Sequence, residues 1–391
     1  MLDRIAIGEI PAKPHTALRA ATGQLRYEEC LTRAGFDGPF SMLYHLHRPH
    51  ALSVEPASPL MAAGPVGPDA PLIDTDDALR RRHYRTQLVP NGRALLDART
   101  PLLENVDLSL SIAKPTESES VYFMNADADE LLFVRQGRGL VRSAFGDLPF
   151  GANDYVCIPK GILRRVLIEE PSDLLVIEAK SGLGIPAQFR NEVGQLRMDA
   201  PYSHRDFRRP SFRGPLDEGI NRLVVKRLGR HHAFVSAHSP LDVIGWDGSV
   251  YPWAFPILAF QPRVSSIHLP PTWHGTFVAK GALICSFVPR PLDFHPDAIP
   301  CPYPHASVDV DEILYYVRGH FGSRSGVEVG SVTLHPRGVP HGPHPGRYEA
   351  SVGTTRTDEL AVMLDCYAPL TAHPGARTFE DRAYDESFAG G

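Results

Sequence analysis

One pattern is written twice in this chain, and it limits the fold more than any other feature. Glu130, six further residues and Gly137 correspond to Glu312, six further residues and Gly319, and Pro159-Lys160-Gly161 corresponds to Pro336-Arg337-Gly338. Proline fixes φ and glycine permits a left-handed backbone, so each Pro-x-Gly reads as a turn between strands. A chain that repeats these turns behind the same carboxylate is expected to build one β-rich unit twice.

The runs around the first copy agree with that reading. LSLSIAK, SVYFMNA, ELLFVRQG, GLVRSAFG, DYVCIPKG, RRVLIEE and LLVIEAK are short, β-branched or aromatic, and separated by Gly, Asp and Pro. With 37 prolines and 33 glycines among 391 residues, many short strands joined by turns are favoured, and the expected class is all-β. The length suits two domains: a β-rich N-terminal domain over 1–257, with the first copy at 87–180, and a C-terminal catalytic domain over 258–391.

The copies differ where chemistry would sit. The second has His305, Glu312 and His341; at the matching places the first has Phe123, Glu130 and Arg164. Two imidazoles and one carboxylate suit one face of an octahedral Fe(II), leaving positions for an aromatic diol and O2. A single negative ligand leaves residual positive charge that can hold a phenolate. The first copy, short of two of the three ligands, is expected to be metal-free. His305 and Glu312 are seven apart, so a straight strand would point them to opposite faces. The chain must therefore bend at Ser307-Val308-Asp309, and His341 is expected to start the strand that returns after the Pro-x-Gly turn. His335, before that turn, and His344 are not expected to be ligands.

Composition excludes several classes. Hydrophobic residues at 43% and charged residues at 22% describe an ordinary globular protein. A net charge of −5 without a large basic block argues against a nucleic-acid partner. The longest basic run, Arg80-Arg81-Arg82, reads as the solvated end of a short charged helix over Asp76 to Arg85. No run of eighteen apolar residues and no signal-peptide pattern occurs, so no membrane partner and a cytoplasmic location are expected. Five scattered cysteines read as reduced thiols, with Cys157, Cys285 and Cys366 in the core.

Elsewhere, residues 54–75 read as a Pro/Ala/Gly-rich loop, Trp246-Asp247-Gly248 as a turn, ALICSFVP and ELAVMLDCYA as strands, and the C-terminal tail as polar and mobile. His45 with His47, and His231, His232 with His238, could suggest further metal sites, but neither set has a carboxylate at a matching spacing. His268 and His274 precede the metal stretch; a neutral imidazole there could accept a phenolic proton.

The segments GFDGPFSMLYH, FGDLPFGANDYVCIPKG, PYPHASVDVDEILYYVRGHF and LHPRGVPHGP resemble the homogentisate 1,2-dioxygenase family over most of the chain. The resemblance implies a double cupin-like, jelly-roll architecture, Fe(II) held by His305, Glu312 and His341, and His268 as the proton acceptor. His341 and Phe321 are expected to border the substrate, a small aromatic diol, with O2 as co-substrate. It implies a homo-oligomer, a trimer or hexamer. One departure stands out: Phe321 replaces a family tyrosine that contacts substrate. Homogentisate, opened to maleylacetoacetate in tyrosine and phenylalanine catabolism, is the first expectation, and gentisate or a substituted hydroquinone the alternative. A non-catalytic double-cupin binding protein, or an isomerase or hydrolase using Zn or Mn, are readings of other classes.

Overall fold

The computed structural model describes residues 3–55, 78–216 and 219–389. Strands dominate; the helical elements are single short turns, and among the described residues no helix is long and apolar enough to cross a membrane. The chain is all-β and cupin-like, built on two larger sheets together with a four-stranded one and a two-stranded pair, Arg290–Pro291 with Arg356–Thr357.

The four-stranded sheet has the order Ile5–Gly8, Val243–Gly248, Phe40–His45, Tyr27–Thr32. Here the turn expected at Trp246-Asp247-Gly248 is instead the end of a central strand. Trp246 is fully buried, paired with Ile7 on one side and Leu43 on the other, and its ring meets Phe145 edge-on at 4.9 Å. Burial of an indole outweighed the turn preference of the Asp-Gly that follows.

The twelve-stranded sheet holds the first copy. The separate runs expected from 130 to 146 and from 164 to 180 are merged there into two long strands, Asp129–Ser143 and Leu163–Ala179. They pair antiparallel, with register shifts between Ile168 and Leu174. Gly137 sits opposite this irregularity at φ 90°, where a β-carbon would meet the Pro171 carbonyl. The glycine and proline that read as breaks bend a continuous ribbon instead.

The six-stranded sheet holds the second copy in the order Gly275–Ala279, Ala282–Phe287, Leu360–Cys366, Asp311–Arg318, Ser331–His335, Arg82–Arg85. Its last strand corrects the helix expected over Asp76 to Arg85. Residues 76 and 77 lie outside the described residues, but Arg82–Arg85 is a strand paired with Ser331–His335. Tyr84 is buried in it, and the arginines thought to be solvated meet the C-terminal segment: Arg80 pairs with Glu380 at 2.9 Å and Arg81 with Asp385 at 2.7 Å. The loop expected at 54–75 falls mostly outside the described residues; Val54 ends a short strand, Leu52–Val54.

The repeat extends to individual hydrogen bonds. Asp129, beside Glu130, accepts from the amides of Lys160 and Leu183; Asp311, beside Glu312, accepts from those of Arg337 and Leu370. Each aspartate thus ties its Pro-x-Gly turn to the end of a neighbouring strand. The turn glycines match, Gly161 at φ 85° and Gly338 at φ 75°, as do Gly137 and Gly319 at 90° and 92°. The two sheets share one apolar core, in which Phe133 meets Tyr315 edge-on at 6.2 Å and Tyr155 meets Phe277 at 5.4 Å. Cys157, Cys285 and Cys366 are buried free thiols; Cys301 is buried too, and Cys30 is exposed.

Candidate metal centre

Asp311–Arg318 carries Glu312, which pairs across the ladder with His335 on Ser331–His335. The chain before this strand bends at Val308 and Asp309, as the spacing requires, and places His305 in an isolated bridge with His341. His341 itself starts no strand: that bridge is all that remains of the expected return, since Gly342 and the residues after it turn away.

Among the described residues, His305, Glu312 and His341 form the one group with metal-site geometry, their ligand atoms all within 4.8 Å of one another. The two histidines are prepared alike. His305 Nδ1 donates to the carbonyl of Tyr303 at 3.0 Å, and His341 Nδ1 to that of Val339 at 3.1 Å, in each case two residues back. A proton fixed on Nδ1 leaves the Nε2 lone pair free. His341 Nε2 is buried without a hydrogen-bond partner, and its nearest carboxylate oxygen, Glu312 Oε1, is 3.6 Å away. Such a buried acceptor is costly unless something occupies it, so these residues fit a metal ion.

Glu312 is held by His335, whose Nδ1 donates to Oε1 at 2.7 Å. Burial works against its charge, but the hydrogen bond from His335 prevails and keeps its pKa well below the carboxylate range. His335 is fully buried and neutral: burial, with Arg324 nearby, takes its pKa down to about 3. Its Nε2 accepts from the Tyr384 hydroxyl at 3.2 Å, and its ring stacks on His341 at 4.6 Å. The C-terminal segment expected to be mobile therefore supplies a buried side chain to this wall. His344 turns away, its Nε2 meeting Ser387 at 2.8 Å.

A cavity of about 610 Å³ lies in front of the triad, and His268, His274, Phe321 and Arg324 are in its wall. His268 donates from Nδ1 to Asp293 at 3.1 Å and meets Tyr303 edge-on at 5.3 Å, leaving Nε2 as an acceptor. His274 is buried against Phe287, which lowers its pKa to about 3; its Nδ1 has no partner. Phe321 lies against Tyr316, ring centroids 4.7 Å apart. His341 is behind the wall, which its neighbour Gly342 completes.

The first unit answers the same positions differently. Phe123 and Arg164 are cross-strand partners, as His305 and His341 are. The Arg164 guanidinium is fully buried over the Phe123 ring, 4.6 Å from its centroid, and pairs with Glu119 and with Glu130 at 3.1 Å. Arg99 and Arg164 hold the Glu130 pKa at about 2 although burial alone would raise it. Cationic side chains fill the place a metal would take.

The other histidine sets gather differently. His45 and His47 both bond Asp242, at 2.7 and 2.8 Å, and His47 stacks on His238 at 3.6 Å. His231 and His232 lie on Arg230–Ser236 without joining them. Sequence reading missed Asp293, Arg324, Tyr384 and the orienting role of His335. Only His335 left a signal, since it occupies the place before Pro-x-Gly that Ile158 holds in the first copy.

Comparison with known proteins decides the family. The homogentisate 1,2-dioxygenase N-terminal family profile matches residues 102–257. A protein of Saccharolobus solfataricus named "Putative dioxygenase SSO1533" is 34% identical over 386 residues, 97% of each chain. The chain belongs to the homogentisate 1,2-dioxygenase family. With that family it joins the dioxygenases, which are oxidative enzymes. Homogentisate 1,2-dioxygenase of Dictyostelium discoideum is 26% identical over 63% of this chain and 58% of its own length. That of Pseudomonas entomophila is 27% identical over 60% and 56%. Thus the chain matches little more than half the length of these two relatives. Among solved structures, a cupin 2 conserved barrel domain protein from Leptotrichia buccalis aligns with 73% of this chain and 95% of its own, at 9% identity and a TM-score of 0.35.

Proposed function

We propose that this chain is an Fe(II)-dependent dioxygenase that opens the ring of a para-diol bearing an acidic substituent, with homogentisate the first candidate and gentisate or a substituted hydroquinone next. The observation that carries the reading is the matched pair of imidazoles, His305 and His341, each tethered by Nδ1 to a carbonyl and each offering a ligand atom within 4.8 Å of that of Glu312. Two His and one carboxylate on one face form the donor set of non-haem iron oxygenases. Iron held there would supply Lewis acidity toward a phenol and one-electron chemistry toward O2.

The chain's own residues do the rest. His335 fixes the direction of the Glu312 carboxylate. His268 offers Nε2 to a phenolic proton, and Asp293, bonded to Nδ1, stabilises the imidazolium that results. Leu314, Phe287 and Met363 give the cavity an apolar wall for the ring. Both atoms of O2 enter the opened acid, so no external reductant is required.

The test is anaerobic reconstitution with Fe(II), followed by oxygen uptake against homogentisate, gentisate, hydroquinone and simple catechols. Stoichiometric uptake with loss of ring absorbance for a para-diol is expected. Bound iron with no uptake on any of them would point instead to a binding protein.

A further inference from the structure

We infer that Arg324 is the counter-ion for an anionic substituent of the substrate, so that the site selects carboxylated aromatic diols over neutral ones of the same size. This rests on the metal-site reading above and specifies its substrate class. Arg324 lies in the cavity wall with His305, Glu312 and Phe321 and is only 7% exposed. One guanidinium nitrogen, Nη1, donates to the carbonyl of Gly342, the residue after His341, which anchors the group beside the triad. Its Nε is buried with no hydrogen-bond partner, and among the described residues no carboxylate is within ion-pair distance of it. Among the described residues the other buried arginines are answered, Arg164 by Glu119 and Glu130 and Arg82 by Glu380, as is the part-buried Arg99 by Glu130 and Glu178. Around Arg324 the titratable neighbours are Tyr316, Tyr384, His335, His344, Cys301 and Glu312. Glu312 is the one acid among them, and its carboxylate is already held by His335 and grouped with His305 and His341 at the metal position.

A buried guanidinium bonded to a carbonyl and near a phenol but answered by no carboxylate of its own is unfavourable until an anion reaches it. A divalent ion with one carboxylate ligand adds a further net positive charge nearby. A diol bound as phenolate and carrying a carboxylate would bring one negative charge to each. The turn that presents Arg324 also presents Phe321, because the Arg324 amide donates to the Phe321 carbonyl at 3.0 Å. The same turn therefore lacks a phenol at 321 and offers a guanidinium at 324, whose planar fork suits a carboxylate.

The experiment is anaerobic titration calorimetry on the iron-loaded protein with homogentisate, its methyl ester, gentisate and hydroquinone. The wild type is expected to bind each acid at least about tenfold more tightly than hydroquinone, and homogentisate about tenfold more tightly than its ester. Arg324→Gln is expected to lose that preference while hydroquinone affinity moves less than about threefold, and Arg324→Lys to keep part of it. Equal binding of acid and ester by the wild type, or equal weakening of all four compounds in Arg324→Gln, overturns the proposal. The ester comparison needs no variant, so a poorly folded Arg324→Gln leaves the test intact. Acid preference without oxygen uptake would sink the ring-cleaving reading alone; oxygen uptake with equal acid and ester binding would sink the Arg324 reading alone.

Discussion

His305 and His341 face each other across a bridge in which the backbone amide of each donates to the carbonyl of the other at 2.8 Å. The bridge holds the two imidazoles at a centroid distance of 4.3 Å, so ligand geometry is set by main chain before any ion arrives. In the first unit the same backbone relation joins Phe123 to Arg164, and a guanidinium lies where a metal would. We expect one iron per chain by elemental analysis, reduced to background in His341→Ala. Two equivalents, or unchanged content in the variant, would place the site elsewhere.

His335 separates a ligand from a residue that aims one. Its Nδ1 is spent on Glu312 and its Nε2 on Tyr384, so it has no atom left for an ion. His335→Ala should still bind a full equivalent at saturating Fe(II), but with an affinity about 10–100-fold lower, because Glu312 loses its orienting donor. His344→Ala should leave affinity near wild type, since its contacts run to Ser325 and Ser387. Competition with a chromophoric chelator measures both. Iron affinity falling as far in His344→Ala as in His335→Ala would contradict this division.

How much of this was legible in the sequence follows the range of the interactions. The repeat was readable because a carboxylate, a glycine and a Pro-x-Gly turn recur at fixed separations within one strand pair, and the structure matches them down to the Asp129 and Asp311 hydrogen bonds. The all-β class was readable for the same local reason. What failed depends on distant partners. Arg82–Arg85 is a strand only because Ser331–His335, far along the chain, accepts it as an edge. Trp246 stays extended because two strands flank it. Arg324 and Tyr384 reach the site from loop and C-terminal segments with no spacing rule to announce them.

His268 and Asp293 form the pair assigned to proton transfer, and the cavity holds both. His268→Ala should keep its iron while turnover falls on the order of 10²–10⁴-fold. Asp293→Asn should show a smaller loss in kcat, with the imidazole present but its charged form less supported. Retained turnover in His268→Ala would pass the role to His274 or to water.

The pH dependence of stability should show His45. Burial works against its charge, but hydrogen bonds to Asp242 and Glu29 prevail and raise its pKa to about 9. A folded-state pKa above the unfolded value near 6.5 means the protonated form is favoured by folding. The contribution is therefore complete below about pH 6.5 and is lost as pH rises toward 9, roughly 1–3 kcal/mol in all. Urea unfolding of wild type and His45→Gln across that range should give curves that converge at the alkaline end. A difference that stays constant with pH would mean that packing, not charge, sets the role of His45.

Phe321 tests substrate choice with the metal left alone. Its ring lies in the cavity wall, edge-on to Tyr316, while the Tyr316 hydroxyl is engaged with Thr333 at 3.3 Å. A hydroxyl added at 321 would thus enter the cavity as a new donor, not as a replacement for an existing hydrogen bond. One such bond to a substrate group contributes about 0.5–1.5 kcal/mol, or more when the partner is charged. Phe321→Tyr should accordingly raise kcat/KM for homogentisate about threefold to tenfold relative to hydroquinone, with iron content unchanged. If the new phenol and Arg324 address the same carboxylate, the gain should be larger in Arg324→Gln than in wild type, a coupling that a double-mutant cycle reads directly. A substrate ratio that does not move in either background would mean that residue 321 does not face the ring.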